Sequence, residues 1–209
     1  MRKRPVRRLL ARLFLTLTGW KPEGPRPAPD RFVLIAAPHT SNWDFAYMVA
    51  FAELYEIPLN WMGKHTLFEP PIGFIMRALG GIPVRRHRRE NLVETLAGLF
   101  EQYDELGLAI PAEGTRSRAE YWKSGFYHIA REAKVPIVLS FLDYERKRGG
   151  FGPVFHVSGD LSRDMDRIRA FYDDKRGRFP ERFATPRLIE EEQPIQGTGT
   201  DGPIAGSSP

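Results

Sequence analysis

Two residues in one short stretch carry the first chemical signal. His39 follows the apolar run Phe32 to Ala37, which reads as a buried strand. Asp44 stands where the helical stretch Phe45 to Tyr55 begins. A histidine at a strand end and a carboxylate at a helix start can face each other across the turn, as a base and its orienting acid. His39 would then take a proton from a hydroxyl or from water. Asp44 would fix the imidazole tautomer and stabilise the charged ring. The same pair could equally be a structural hydrogen-bonded pair. The chain has no cysteine, so a protein nucleophile would have to be a hydroxyl. Thr40, Ser41 and Ser117 are available, and none has a nucleophile-elbow context.

A second signal is Glu113-Gly114-Thr115-Arg116-Ser117, just after the strand-like Leu108 to Pro111. It joins a carboxylate, a glycine that lets backbone approach a ligand, two hydroxyls and a guanidinium. Arginine suits bidentate recognition of phosphate or carboxylate. Arg86, after the strand-like Ile82 to Val84, could add a second anion contact. A capped loop with a surface arginine would look the same. The five histidines lack metal-ligand spacing, and no metal is expected.

The elements that would position these residues alternate strand and helix. Strands are expected at 32–37, 59–62, 82–84, 108–111, 136–142 and 151–157. Helices are expected at 42–55, 72–79, 90–103, 125–132 and 161–173. The pattern predicts an α/β fold, a single domain with a mostly parallel central sheet flanked by helices. In such folds, sites form beyond the carboxyl ends of strands, where His39, Arg86 and Glu113 all fall. Trp43, Trp61 and Trp122 are expected to be packing residues, and Trp20 a candidate interface anchor.

Charge is placed unevenly. The formal net charge is +5, yet Arg2, Lys3, Arg4, Arg7, Arg8 and Arg12 put +6 on the first 20 residues, leaving the other 189 at about −1. A general nucleic-acid function is therefore not expected. From Val6 to Leu17 the apolar residues Val6, Leu9, Leu10, Leu13, Phe14 and Leu17 share one helical face, with Arg4, Arg8 and Arg12 opposite and Leu15 off the pattern. A basic amphipathic helix of this kind can lie in a membrane interface. It can also pack on the domain with a solvated basic face. No apolar run is long enough for a conventional transmembrane helix. The chain divides into this helix (1–20), a Pro-rich linker (21–30), the main domain (31–180) and a tail expected to be disordered (190–209).

These blocks resemble the glycerolipid acyltransferases, the lysophosphatidate acyltransferase-like family. His39 to Asp44 matches its H-x-x-x-x-D motif, and Glu113 to Ser117 its E-G-T-R-S block. Gly80 to Arg86 resembles the intervening block, and Val135 to Val138 the last. Order and intervals agree across residues 30 to 145. The resemblance implies transfer of a fatty acyl group from acyl-CoA or acyl carrier protein to the hydroxyl of a lysophospholipid-like acceptor, 1-acylglycerol-3-phosphate by default. His39 would be the general base and Asp44 its partner. Arg86, Glu113, Gly114, Thr115, Arg116 and Ser117 would bind substrate, and the thioester would be a co-substrate with no cofactor. The protein would sit peripherally on the cytoplasmic face of the cell membrane, touching it through Arg4, Arg8, Leu9, Leu10, Arg12, Leu13, Phe14 and Leu17. Here Arg85 precedes Arg86 where many relatives carry an acid. A hydrolase using the same pair, and a non-catalytic lipid-binding protein, are the competing readings.

Overall fold

The computed structural model describes residues 5–84 and 92–192. Arg4, the Arg85 to Arg89 run with Arg86, and positions 193–209 lie outside the described residues.

Among the described residues, seven strands form one sheet in the order β1-β7-β6-β2-β5-β3-β4. In chain order they are β1 (Lys21–Glu23), β2 (Arg31–Ala37), β3 (Leu59–Lys64), β4 (Gly81–Val84), β5 (Leu106–Ile110), β6 (Ile137–Asp143) and β7 (Arg148–Phe155). Five of them, from β6 to β4 across the sheet, run parallel, and β7 returns antiparallel to β6. The helices are α1 (Pro5–Thr18), α2 (Trp43–Leu54), α3 (Gly73–Ala78), α4 (Leu92–Ala97), α5 (Leu99–Gln102), α6 (Gly125–Glu132) and α7 (Leu161–Tyr172). The fold is the expected α/β arrangement, with a mostly parallel central sheet flanked by helices and an amphipathic helix ahead of it.

Side chains alternate across each strand, so one strand feeds two cores. Val33 and Ile35 of β2 face one side with Leu106, Leu108, Ile137 and Leu139, against Phe126 of α6 and Met165 and Ile168 of α7. Phe32 and Leu34 face the other side with Ala109, Val138 and Phe151, against Ala52 of α2. A third cluster joins α1 to α2 through Ala11, Leu15, Trp20, Tyr47 and Phe51.

Five local features differ from the sequence expectations. Lys21–Glu23, expected as linker, pairs with β7 as an edge strand. Pro22 is tolerated because an edge leaves N–H groups unpaired anyway. The helix expected over 90–103 is broken at Gly98, where α4 ends and α5 begins. Trp20 is buried among Tyr47, Phe51 and Tyr144 and presents no free face, whereas Trp43 is 52% exposed and packs little. Residues 190–192, placed in the tail, are docked: Arg169 bonds Glu191, and Tyr121 bonds Glu192.

Of the two arrangements open to the first helix, packing of its leucine stripe on the domain is not the one formed. Leu15 is 3% exposed and Ala11 is buried, while Leu17 is 77% exposed and Val6, Leu9, Leu10 and Leu13 are also exposed. At 3.6 residues per turn, Arg7, Arg8, Ala11 and Leu15 share the inward side. Arg7 bonds Glu53 at 3.1 Å and Arg8 lies 3.4 Å from Glu56, so these arginines grip α2 and the turn that follows it. The leucine stripe points away from the domain.

Leu15→Ala should therefore cost about 2–4 kcal/mol in denaturant unfolding, the range for a buried leucine, and Leu13→Ala under about 0.5 kcal/mol. Equal costs at both positions would contradict this packing.

Candidate active site

The site is built where β2 ends and α2 begins. Asp44 occupies the first turn of α2, where a helix N-terminus favours negative charge. Its Oδ2 accepts hydrogen bonds from the Thr40 N–H at 2.9 Å and the Ser41 N–H at 2.8 Å. The same oxygen lies 3.2 Å from His39 Nδ1. Oδ1 accepts from the Tyr144 hydroxyl at 2.6 Å. Ser41 Oγ accepts from the Trp43 N–H, and Asn42 makes no side-chain cap. Asp44 is buried while His39 is partly open. With Nδ1 turned to the carboxylate, Nε2 is the nitrogen left for an incoming group.

Glu113 lies just after β5, next to β2 in the sheet. Its Oε1 accepts from the His39 backbone N–H at 2.5 Å. It is buried and does not line the cavity described below. Burial is the main cause that pushes its carboxyl up to about 8; the His39 N–H opposes this and the Asp44 charge adds to it. Gly114 follows with φ +69, a left-handed conformation that favours glycine. That turn carries Thr115 and Arg116 to the surface at the cavity. Ser117 is exposed, its N–H bonded to Thr115 Oγ1, and it does not line the cavity.

A cavity of about 690 Å³ runs from this point beneath α2, within the roughly 300–1,000 Å³ range of ligand sites. His39, Asp44, Lys64, Thr115 and Arg116 lie among its polar lining. Its apolar wall includes Phe45, Met48, Leu59, Trp61, Met76 and Phe151. Small residues make the room: Ala36, Ala109, Ser140 and Gly150 all line it from the sheet. The lining therefore joins an imidazole and two cationic side chains to walls that suit a hydrocarbon chain.

The segment after α7 braces the His39 loop. Thr40 is fully buried; its Oγ1 accepts from the Phe179 N–H at 3.2 Å, and its carbonyl from Arg182 at 3.4 Å. A Cβ at Gly177 would come within 2.7 Å of Thr40 Oγ1, so only glycine allows this approach.

Sequence reasoning missed three features. Lys64 lies beyond the strand expected at 59–62, but it closes β3 at the site. Tyr144 is 100 residues from its partner Asp44, and no spacing rule links them. The third is apolar: Leu67, Ile72, Phe74 and Ile75, in and beside α3, are exposed, Phe74 at 73%. Arg7 bonds the Ala78 carbonyl at 3.2 Å, so α3 ends beside α1 and its exposed leucines. Leu67 and Met76 also line the cavity. Among the described residues no helix is long and apolar enough to cross a membrane, and no acidic or histidine cluster could hold a metal.

The family model described as Acyltransferase matches residues 21–139, more than half of the chain. The fold is similar to the crystal structure of the 1-acyl-sn-glycerophosphate (LPA) acyltransferase PlsC from Thermotoga maritima. The TM-score is 0.56 at 15% identity, over 78% of this chain and 74% of that one. No curated protein matches the sequence.

Glu113 gives a test of the site's electrostatics. Its folded-state value of about 8 lies above its ordinary 4.5, so between those pH values the folded protein holds a proton that the unfolded chain releases. Stability then falls as pH rises through that window, by at most about 1.4 kcal/mol per pH unit. Glu113→Gln keeps an acceptor and removes the titration. Its melting temperature should gain on the wild type steadily from pH 5 to pH 8. A constant difference across that range would show that Glu113 is not neutral in the fold.

Proposed function

The chain belongs to the acyltransferase family, and from that premise we propose that it is a lipid O-acyltransferase working at a membrane surface. The donor is a fatty acyl thioester, acyl-CoA or acyl carrier protein, and the acceptor is a lysophospholipid-like alcohol, 1-acylglycerol-3-phosphate by default. The observation that carries this reading is His39, with Nδ1 on Asp44, in the lining of a largely apolar cavity that also bears Lys64 and Arg116.

In this scheme Nε2 of His39 accepts the proton of the acceptor hydroxyl. The oxygen attacks the thioester carbonyl, and the collapsing intermediate expels the thiolate. The imidazolium returns its proton to that sulfur, so the pair ends as it began. Asp44 steadies the charged ring between the two transfers. The fatty chain lies in the cavity beneath α2. Arg116 and Lys64 meet the phosphate, as does Arg86, which lies outside the described residues. Gly114 and Thr115 shape the turn that presents Arg116, and Glu113 fixes the backbone of His39 from behind. Ser117 lies beyond the wall and is proposed only as a support for that turn.

The outward leucines of α1, with Phe14 and Arg12 at their margin, supply the membrane contact. Ile72, Phe74 and Ile75 extend it. Arg8 serves this surface indirectly, by fastening α1 to the turn after α2. On this reading the protein works peripherally, at the cytoplasmic face of the cell membrane.

Purified protein given palmitoyl-CoA and 1-acylglycerol-3-phosphate should release thiol only when the acceptor is present. His39→Ala should lower that rate on the order of 10³-fold. Arg116→Ala should raise KM for the acceptor about tenfold with a smaller effect on kcat. Thiol release at the same rate without acceptor would favour a hydrolase. Sedimentation with anionic vesicles checks the membrane surface: Leu13→Glu and Phe74→Glu should each weaken it, and unchanged binding in both would remove this surface from the account.

A further inference from the structure

We propose that Tyr144 is a positioning residue for the reaction, acting through Asp44, which in turn holds His39. The proposal rests on the reading of His39 as general base.

Asp44 has two oxygens with separate duties. Oδ2 is shared by the Thr40 and Ser41 N–H groups and faces His39. Those three partners belong to one short loop and would let the carboxylate rotate with it. Oδ1 is tied to a different part of the fold, the turn between β6 and β7, through the Tyr144 hydroxyl at 2.6 Å. This bond sets the plane of the carboxylate, and with it the direction in which Oδ2 meets Nδ1.

Tyr144 is itself held on several sides. Its ring stands edge-on to Trp20 at 4.9 Å and to Tyr47 at 5.9 Å, both at 89°. Its backbone N–H donates to the Arg176 carbonyl at 2.9 Å, in the segment that also braces Thr40. Of the titratable and charged groups that bear on it, Asp44 and Tyr47 come from α2 and Arg178 from the segment after α7. Burial, and then the bond to Asp44, raise the phenol far above its ordinary range. It therefore remains a donor at any working pH. A tyrosine kept for packing alone would need only its ring, and the ring contacts here do not require the hydroxyl.

The chemistry gives a signed expectation. A phenol donating to Asp44 draws off part of the carboxylate's charge. Removing that donor leaves the carboxylate better able to hold a positive imidazolium, while its plane is less fixed. Two consequences follow together: the ring accepts a proton more readily, and the reaction runs more slowly because the base is less well aimed.

Tyr144→Phe removes the oxygen and leaves the ring between Trp20 and Tyr47. In the ligand-free protein, the NMR titration midpoint of the His39 imidazole, identified by its absence in His39→Ala, should move to higher pH. In the acyl-transfer assay kcat should fall about tenfold with KM within about twofold of wild type. An unmoved titration with unchanged kcat would overturn the proposal. So would a loss carried by KM, because that would mean direct contact with substrate. If Tyr144→Phe melts below the assay temperature, Trp20→Phe keeps the hydroxyl and loosens only the clamp. It should then give a smaller kcat loss without lowering the titration midpoint, and full activity would overturn the proposal. The titration needs no substrate. A wild type that transfers no acyl group would thus defeat the functional reading, while the titration alone would still decide what Tyr144 does to His39.

Discussion

The site depends on one buried carboxylate that is almost completely partnered. Asp44 sits at a helix start with two backbone N–H groups, a phenol and an imidazole around its two oxygens. A buried charge without such partners would be costly and would tend to neutralise. Here the same bonds that make its burial tolerable also shape the loop 38–44. Removing any of them affects the electrostatics and the geometry together, because one atom serves both. The surrounding structure can be read as what keeps those donors in place: β2 ends the approach, α2 supplies the helix terminus, and the segment after α7 fixes Thr40.

Glu113 presents the opposite solution to the same problem. It is buried beside Asp44 with one backbone donor, too little to hold a second charge nearby, and its carboxyl is driven upward to about 8. Two carboxylates in adjacent strands' loops thus do different work. One faces the imidazole, and the other, its carboxyl raised to about 8, holds the backbone behind it. Their division of labour follows from the number of donors each receives.

Much of the sheet was legible in the sequence because buried parallel strands are continuous apolar runs: Phe32 to Ala37 and Ile137 to Leu142 are nearly unbroken. His39, Asp44 and Glu113 were legible because residue type and position after a strand coincide. Other features rest on partners distant in sequence. Lys21–Glu23 is a strand only because β7 lies beside it. Leu15 broke the helical stripe because that stripe faces away from the domain, so the odd residue is the anchor. Trp20 and Trp43 exchanged their expected places because tryptophan type says nothing of which wall will cover it. Tyr144 had no local signature at all. The cavity was likewise hidden, since it arises from small side chains contributed by β2, β5, β6 and β7.

The most direct test of the central claim is where the acyl carbon goes. Protein is incubated with acyl-labelled palmitoyl-CoA and a lyso-phospholipid acceptor, and label is followed into lipid and into free fatty acid alongside released thiol. The account predicts that label appears in the acylated lipid in step with thiol, with little free acid. Label accumulating as free fatty acid while the acceptor remains unacylated would contradict it.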